Sequence, residues 1–572
     1  MRTIFLYILW ISCIITTNAQ NFLFRNGKSD YSIVLTNSPS TSENTAAQEL
    51  QYYIKIISDT TLPIVNATQK STGKHIYVGW TQACQEPKPK FDDEKYTYKT
   101  IGNNLYIYGG GERGTMYGVY AFLENELGIH WYTSSFTHIP KIKQFLLNKL
   151  YHSESPTFIR RFDFFLDALT HNDWTAHNLL NSQYALSKSK YGNMTAYWGI
   201  HTFDKLMPPA KYFKSHPEYY SIYKGKRSDK AQLCLSNSDM RKELIKNLKN
   251  VIKDNPGYWC YDVSQNDISA PCECRSCQKL VKKYGGQSGI MIWFVNQVAD
   301  EIKKVYPNIY IGTFAYRYTR QAPTSKLKVA DNVVIRLCDI ECCLAHPLYE
   351  CSENKSFITD LNDWKKIAQN IYIWDYTTGF MHYHLPFPNL QALSKNLRFF
   401  AKSNVIGLME EGGHDAKWNE FSEMKQWVIA KLLWNPNQDV DSLVQLFIKD
   451  YYGKSAPYIQ QYYDLCNKQV TNNTHFTIKI DWNSKLYSDK FVNDGMSLMK
   501  QAINASSKNA QTLKRTKRVA AQLLYIKLRR NTRTSATDGT LKQFREILKE
   551  DETLVSEHNY KLENLLKDIG YK

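Results

Sequence analysis

The chain has 572 residues, 43% hydrophobic and 22% charged, an ordinary globular balance that excludes a disordered or collagen-like polymer and exceeds what one core normally supports. Its formal net charge is +18, but the lysines are dispersed and no nucleic-acid motif accompanies them. The excess therefore reads as solvated surface, able to attract acidic glycans or an anionic surface, and not as a nucleic-acid interface.

Met1-Arg2 is followed by an apolar run from Ile4 to Ile15 and then by Thr-Thr-Asn-Ala before Gln20. The run is too short to span a bilayer, and the pattern predicts a cleavable signal peptide over residues 1–19, cut after Ala19. Lipid attachment at Cys13 is the weaker alternative, because Trp10 suits that signal poorly. No later segment has the length of a transmembrane helix. The expectation is an exported protein, in the periplasm or at the cell surface of a bacterium.

Residues 20–150 read as a small α/β domain. Ala46 to Ile54 has a helical pattern, and Ile76 to Gly79 and Leu105 to Tyr108 read as strands. Gly109-Gly110-Gly111 then turns the chain into a second helix, with Met116, Tyr120, Leu123 and Leu127 on one face and Gly128 at its end. The string Tyr106 to Tyr132, which runs Tyr-Ile-Tyr-Gly-Gly-Gly-Glu-Arg-Gly-Thr-Met-Tyr-Gly-Val-Tyr and onward to Gly-Ile-His-Trp-Tyr, resembles the non-catalytic domain that precedes the barrel in α-glucuronidases and β-hexosaminidases. That resemblance implies a sugar-hydrolase context with a barrel to follow.

From 151 to 415, strand-like runs alternate with helix-sized intervals, the mark of a parallel α/β fold. The runs are Phe158 to Phe164, Tyr197 to Phe203, Gln232 to Leu235, Trp259 to Ser264, Ile309 to Tyr316, Val333 to Leu337, Ile371 to Asp375 and Val405 to Met409. Eight of them fit a (β/α)8, TIM-type barrel. Residues 416–572 are helical in period, with Phe421, Met424, Val428 and Leu432 on one stripe, and predict a helical C-terminal domain.

In a parallel barrel, reactive groups gather past the C-terminal ends of the strands. The fourth run ends in Ser264-Gln265-Asn266-Asp267, the seventh in Trp374-Asp375-Tyr376, and the eighth in Met409-Glu410-Glu411-Gly412-Gly413. Cleavage of a glycosidic bond needs an acid for the leaving oxygen and a second group for the anomeric carbon. Asp267 and Glu410 are the expected catalytic pair, facing one rim. His201, Tyr316, Trp374, Asp375, Tyr376, His382 and Glu411 are expected to line sugar subsites, although each of these residue types serves as core or cap equally well. The aromatic content of 14% suits that reading, because rings stack on the C–H faces of sugars.

Glu411 and His414 alone make too slight a pair for a metal, and no cofactor is expected for catalysis. Cys272, Cys274 and Cys277 form a knot, with Cys338, Cys342, Cys343 and Cys351 beyond it. In an exported chain these are expected to be disulfides with one thiol left over, a zinc site whose fourth ligand comes from Cys260, His346 or the second cluster, or free thiols, and in no case catalytic.

Five motifs in order, Val-Ser-Gln-Asn-Asp with the cysteine knot, Thr313 to Tyr316, Ile373 to Tyr376, Gly-Leu-Met-Glu-Glu-Gly and Leu432 to Pro436, resemble the bacterial family called domain of unknown function 4838 over roughly residues 155–455. That family includes glycoside hydrolase family 163. The resemblance implies a retaining endo-β-N-acetylglucosaminidase that acts on N-glycans of a glycoprotein with help from the substrate's 2-acetamido group, one of the adjacent Asn266 and Asp267 orienting that group while its neighbour, or Glu410, donates the proton. The alternatives are an exo-acting α-glucuronidase or β-hexosaminidase, and a non-catalytic glycan-binding protein.

Overall fold

A computed structural model describes residues 21–69, 73–89, 94–183, 190–192 and 196–571. The segment 1–19 read as a signal peptide, Cys13 included, lies outside the described residues. The chain divides into two compact units: one ends at Gly128 and takes in Ile139–Glu154, and the other comprises Ile129–His138 and Ser155–Lys572.

The first unit carries a six-stranded mixed sheet in the order Tyr151–Glu154, Tyr96–Ile101, Asn104–Gly109, Lys74–Val78, Tyr31–Leu35, Ile64–Asn66. The helix Thr41–Ser58 starts with a capping box, in which Ser40 Oγ accepts from Glu43 N at 3.1 Å and Glu43 Oε2 accepts from Ser40 N at 2.8 Å. The glycine run is a close-approach device, since a Cβ on Gly109 would lie 2.2 Å from the Gly114 backbone. Only hydrogen at both positions lets the strand Asn104–Gly109 turn directly into the helix Gly114–Asn125.

The second unit is built on a seven-stranded parallel sheet. Its strands are β1 (Arg160–Phe164), β2 (Tyr197–Trp198), β3 (Cys260–Asp262), β4 (Tyr310–Ala315), β5 (Val333–Cys338), β6 (Asn370–Tyr376) and β7 (Gly407–Glu411), in the spatial order β1-β7-β6-β5-β4-β3-β2. Long helices cover the crossovers, among them Ser238–Asp254, Gln287–Lys303, Lys355–Ile367 and Leu390–Lys402. The helices from Ser422–Trp434 to Leu562–Asp568 belong to the same compact unit. No helix among the described residues is long and apolar enough to cross a membrane.

The sheet is curled. β2 and β6 stand four strands apart, about 19 Å in a flat sheet at roughly 4.8 Å per strand, yet the rings of Tyr197 and Tyr372 approach to 6.2 Å. The edge strand β1 likewise comes round to β3, where the Arg160 guanidinium sits 4.7 Å from the Trp259 ring. At the centre, Arg336 of β5 is fully buried, its guanidinium 3.4 Å from the Tyr197 ring centroid and 5.2–5.7 Å from those of Phe314, Tyr372 and Trp374.

Two of the eight expected runs behave differently. Tyr197 to Phe203 keeps only two extended residues, because Gly199 and His201 take φ of +77° and +52° and break the strand. Gln232 to Leu235 is not a strand of this sheet. Its backbone pairs antiparallel with Tyr219–Ser221, through Ser221 N to Gln232 O at 2.9 Å and Cys234 N to Tyr219 O at 2.8 Å.

The curl requires a glycine on β4. A Cβ at Gly312 would fall 1.4 Å from the Tyr197 hydroxyl oxygen. Gly312→Ala should therefore expel Tyr197 from the interior and cost about 1–3 kcal/mol or more. Urea unfolding measures this, and an unchanged midpoint would remove Tyr197 as the wedge that sets the curl.

Candidate active site

The C-terminal ends of the strands open into a cavity of about 470 Å³. Phe164 comes from the end of β1, Ile200 and His201 follow β2, and Asp267 follows β3. Phe314, Tyr316 and Arg317 come from β4 and its exit, Cys338 and Ile340 from β5, Trp374 and Tyr376 from β6, and Glu411 and His414 from β7. Phe380 and Met381 add to the wall from the loop after β6, and the rest is supplied from far along the chain by Ile478, Lys479 and Ser556 to His558.

That distant wall is fastened by backbone. Phe380 N donates to Ile478 O at 3.0 Å, and Phe380 O accepts from Glu557 N at 3.1 Å and from Ser556 Oγ at 2.9 Å. The loop after β6 is thus the common anchor of both late segments.

Asp267 is the accessible acid of the site, with 54% of its side chain exposed. Its Oδ1 accepts from the Tyr316 hydroxyl at 3.1 Å and lies 3.4 Å from Arg317 Nη1. Glu411 is the buried acid. Its Oε2 accepts from Trp374 Nε1 at 2.7 Å, and its Oε1 lies 3.5 Å from His414 Nδ1. Burial pushes the Glu411 carboxyl up to about 8, against the Trp374 hydrogen bond and with help from the charges of Glu557 and Asp415. Burial also raises Glu557. At neutral pH the cavity therefore holds one carboxyl, that of Glu411, that keeps its proton.

His201 is half-buried and its Nδ1–H donates to Gln265 O at 2.8 Å, and desolvation lowers its pKa, so it presents a neutral imidazole. Glu411, His414 and Glu557 place their ligand atoms within 4.8 Å of one another, a donor set of the kind a divalent cation accepts. A carboxyl that is still protonated near pH 7 is better matched to proton transfer than to ligation.

The structure departs from the sequence-based expectation at Glu410. Asp163, Glu410 and Asp375 are register partners across β1, β7 and β6, all buried, and none lines the cavity. The pleat sends adjacent side chains to opposite faces, so when Glu411 points into the cavity with Trp374 and Tyr376, Glu410 must point away. Burial raises the Glu410 carboxyl strongly, and its neighbours Asp375 and Asp163 raise it further. Asp375 is pushed up to about 6 by burial and accepts from the Tyr376 amide at 2.7 Å.

Asn266 is also outside the cavity. It is tied to Asp204, with its side-chain Nδ2 donating to Asp204 Oδ1 at 2.9 Å and its side-chain Oδ1 accepting from Asp204 N at 3.2 Å. His382 is buried against Tyr525, Nδ1 to hydroxyl 2.8 Å, and does not reach the cavity either. His201, Asp267, Tyr316, Trp374, Tyr376 and Glu411 are the expected residues that the fold brings together. Arg317, His414, Lys479 and Glu557 were not expected there; Arg317 and His414 follow the ends of β4 and β7, whereas only a three-dimensional path brings Lys479 and Glu557 to the strand ends.

A family model described as a domain of unknown function, DUF4838, matches residues 131–464. The chain belongs to that family. No curated protein matches this DUF4838 member. Among solved structures it is similar to a family GH115 4-O-methyl-α-glucuronidase, BtGH115A, with specificity for decorated arabinogalactans. The identity is 12%, over 95% of this chain and 78% of that one, with a TM-score of 0.59, and the likeness is one of fold. Flavobacterium johnsoniae chitobiase aligns at 12% identity over 97% of each chain, with a TM-score of 0.45.

The buried trio makes stability depend on pH. An acid whose folded pKa lies above its unfolded value contributes stability fully below the unfolded pKa, near 4, and loses it as pH rises through the folded value. Folding stability should therefore fall from pH 5 to pH 8, and Glu410→Gln should flatten that fall. Urea midpoints at the two pH values check it; identical pH slopes in variant and parent would mean that Glu410 is not held protonated.

Proposed function

We propose that this protein is an exported glycoside hydrolase with its active site in the cavity at the C-terminal rim of a TIM-type sheet, and that it is a retaining endo-β-N-acetylglucosaminidase acting on N-glycans. The observation that carries the hydrolase reading is the pairing of a protonated, apolar-walled Glu411 with an accessible Asp267 in a cavity lined by Phe164, Phe314, Tyr316, Trp374 and Tyr376. Rings of this kind take up the C–H faces of a sugar, and two carboxyls on one cavity are the pair that glycosidic cleavage requires. The (β/α)8 reading is supported by the parallel pairing of the first strand with the last, β1 with β7, as in a closing barrel.

In this mechanism Glu411 donates its proton to the leaving glycosidic oxygen. Asp267, steadied by the Tyr316 hydroxyl, orients the 2-acetamido group so that its carbonyl oxygen attacks the anomeric carbon, and water then opens the cyclic intermediate with Glu411 acting as base. Trp374 holds the Glu411 carboxyl in place throughout.

A second reading has its own support. Arg317 and Lys479 bring two cations to the cavity wall, the chemistry that would hold a uronic acid carboxylate in an exo-acting α-glucuronidase. Release of intact oligosaccharide from an N-glycoprotein, followed by mass, favours the endo reading; release of 4-O-methylglucuronic acid alone from decorated polysaccharides replaces it.

Glu411→Gln and Asp267→Asn should each lose on the order of 10²-fold or more in kcat with the fold retained, the usual scale for a positioned acid or base. Glu410→Gln should leave the rate within a few fold. The activity of the parent should fall as pH rises through about 8, where Glu411 loses its proton. Full turnover in Glu411→Gln, or an alkaline limb unchanged by it, would overturn the assignment of the acid.

A further inference from the structure

Two clusters of cysteine and histidine lie outside the cavity, and we infer that each holds a structural zinc ion. The first comprises Cys234, Cys272, Cys274 and Cys277, whose sulfurs all lie within 4.8 Å of one another. The second comprises Cys343, His346, Cys351 and His475, with the same mutual closeness of ligand atoms.

Distances in the first cluster fit a metal better than a bridge. Cys234 Sγ lies 3.7 Å from Cys274 Sγ and 3.8 Å from Cys277 Sγ. A tetrahedral zinc with bonds of about 2.3 Å to sulfur sets an S···S edge of about 3.8 Å, whereas a disulfide needs about 2.0 Å. Disulfide pairing would also serve the sulfurs two by two, while here one atom, Cys234 Sγ, is equidistant from two partners. Cys274 caps the helix Arg275–Tyr284, and its sulfur accepts from the Cys277 amide at 3.4 Å. That bond stabilises a thiolate, the form a metal binds. Sequence spacing offered Cys260 or His346 as the fourth ligand, but the fold brings Cys234 instead. Cys260 lies on β3, fully buried in the sheet.

The second cluster has mixed donors at matching spacings. His475 Nδ1 is 3.3 Å from Cys343 Sγ and 3.6 Å from Cys351 Sγ, and His346 Nδ1 is 3.8 Å from Cys343 Sγ. Zinc bonds of about 2.0 Å to nitrogen and 2.3 Å to sulfur set an S···N edge of about 3.5 Å. His346 Nε2 lies 3.0 Å from Thr471 O, so the ring proton sits on Nε2 and the Nδ1 lone pair is turned to the cluster. A backbone carbonyl on the distal nitrogen is the usual second partner of a metal-bound histidine. The two strands of chain are joined beside the cluster by Leu344 N to Phe476 O at 2.8 Å. A zinc here would tie the exit of β5 to the segment that delivers Ile478 and Lys479 to the cavity, without touching the reacting atoms.

Full-length protein purified without chelators or a metal-affinity step should contain close to two zinc ions per chain by mass spectrometry of the metals. Its cysteines should resist alkylation until zinc is stripped under denaturing conditions, and then all react without reductant. Cys277→Ser and His475→Ala should each lower the count to one, and His475→Cys should keep two. Cobalt exchanged into the protein should give thiolate charge-transfer bands and the visible bands of tetrahedral cobalt. Protein without zinc whose cysteines react only after reduction would overturn both sites in favour of disulfides, and a native count of one, unchanged in His475→Ala, would overturn the second.

Discussion

The cavity depends on one buried cation. Arg336 stands on the central strand of the parallel sheet with its guanidinium among the rings of Tyr197, Phe314, Tyr372 and Trp374, which come from three further strands. A guanidinium is weakly hydrated and planar, so it can leave water at lower cost than an ammonium and stack on aromatic faces. Asp262, also fully buried, balances it: burial raises that carboxyl to about 6 while Arg336 pulls it down. The rings can converge only if the sheet curls, and a curled parallel sheet brings all its C-terminal ends to one mouth. Two of those rings, Phe314 and Trp374, line the cavity, so the site shares side chains with the group that gives the sheet its shape.

In that sheet, the pleat divides the acids into two populations. Side chains of one parity face the rings and the cavity, and Glu411 is among them. Those of the other parity, Asp163, Asp375 and Glu410, form a buried row behind the sheet. Both populations are desolvated, so both hold protons at unusually high pH, but only the first can hand a proton to something that enters from solvent. A perturbed carboxyl is thus a marker of burial, and access decides whether it is chemistry.

The late segments complete the wall at a distance in sequence. The loop after β6 takes backbone bonds from both Ile478 and Glu557, so the helical region contributes walls as well as support. Arg518 links that region internally, reaching Glu423 at 2.7 Å and Asp551 at 2.9 Å, and Thr553 Oγ1 donates to Trp418 O at 2.8 Å. These ties explain why the helices after Ser422 form one compact unit with the sheet.

The amino-acid sequence by itself determined the parallel α/β character, the strand ends and the acids that follow them, because hydrophobic period and strand-end position are local properties. Six of the residues expected around a site, from His201 to Glu411, were legible on those grounds. It could not choose between Glu410 and Glu411, because a boundary error of one residue inverts the face to which a side chain points, and strand boundaries are the least local feature of a strand. Nor could it supply Glu557, Lys479 or the cysteine partner Cys234, which reach their neighbours only through backbone bonds between segments tens to hundreds of residues apart. Those assignments belong to the tertiary structure alone, since proximity without sequence periodicity leaves no trace in one chain's order of residues.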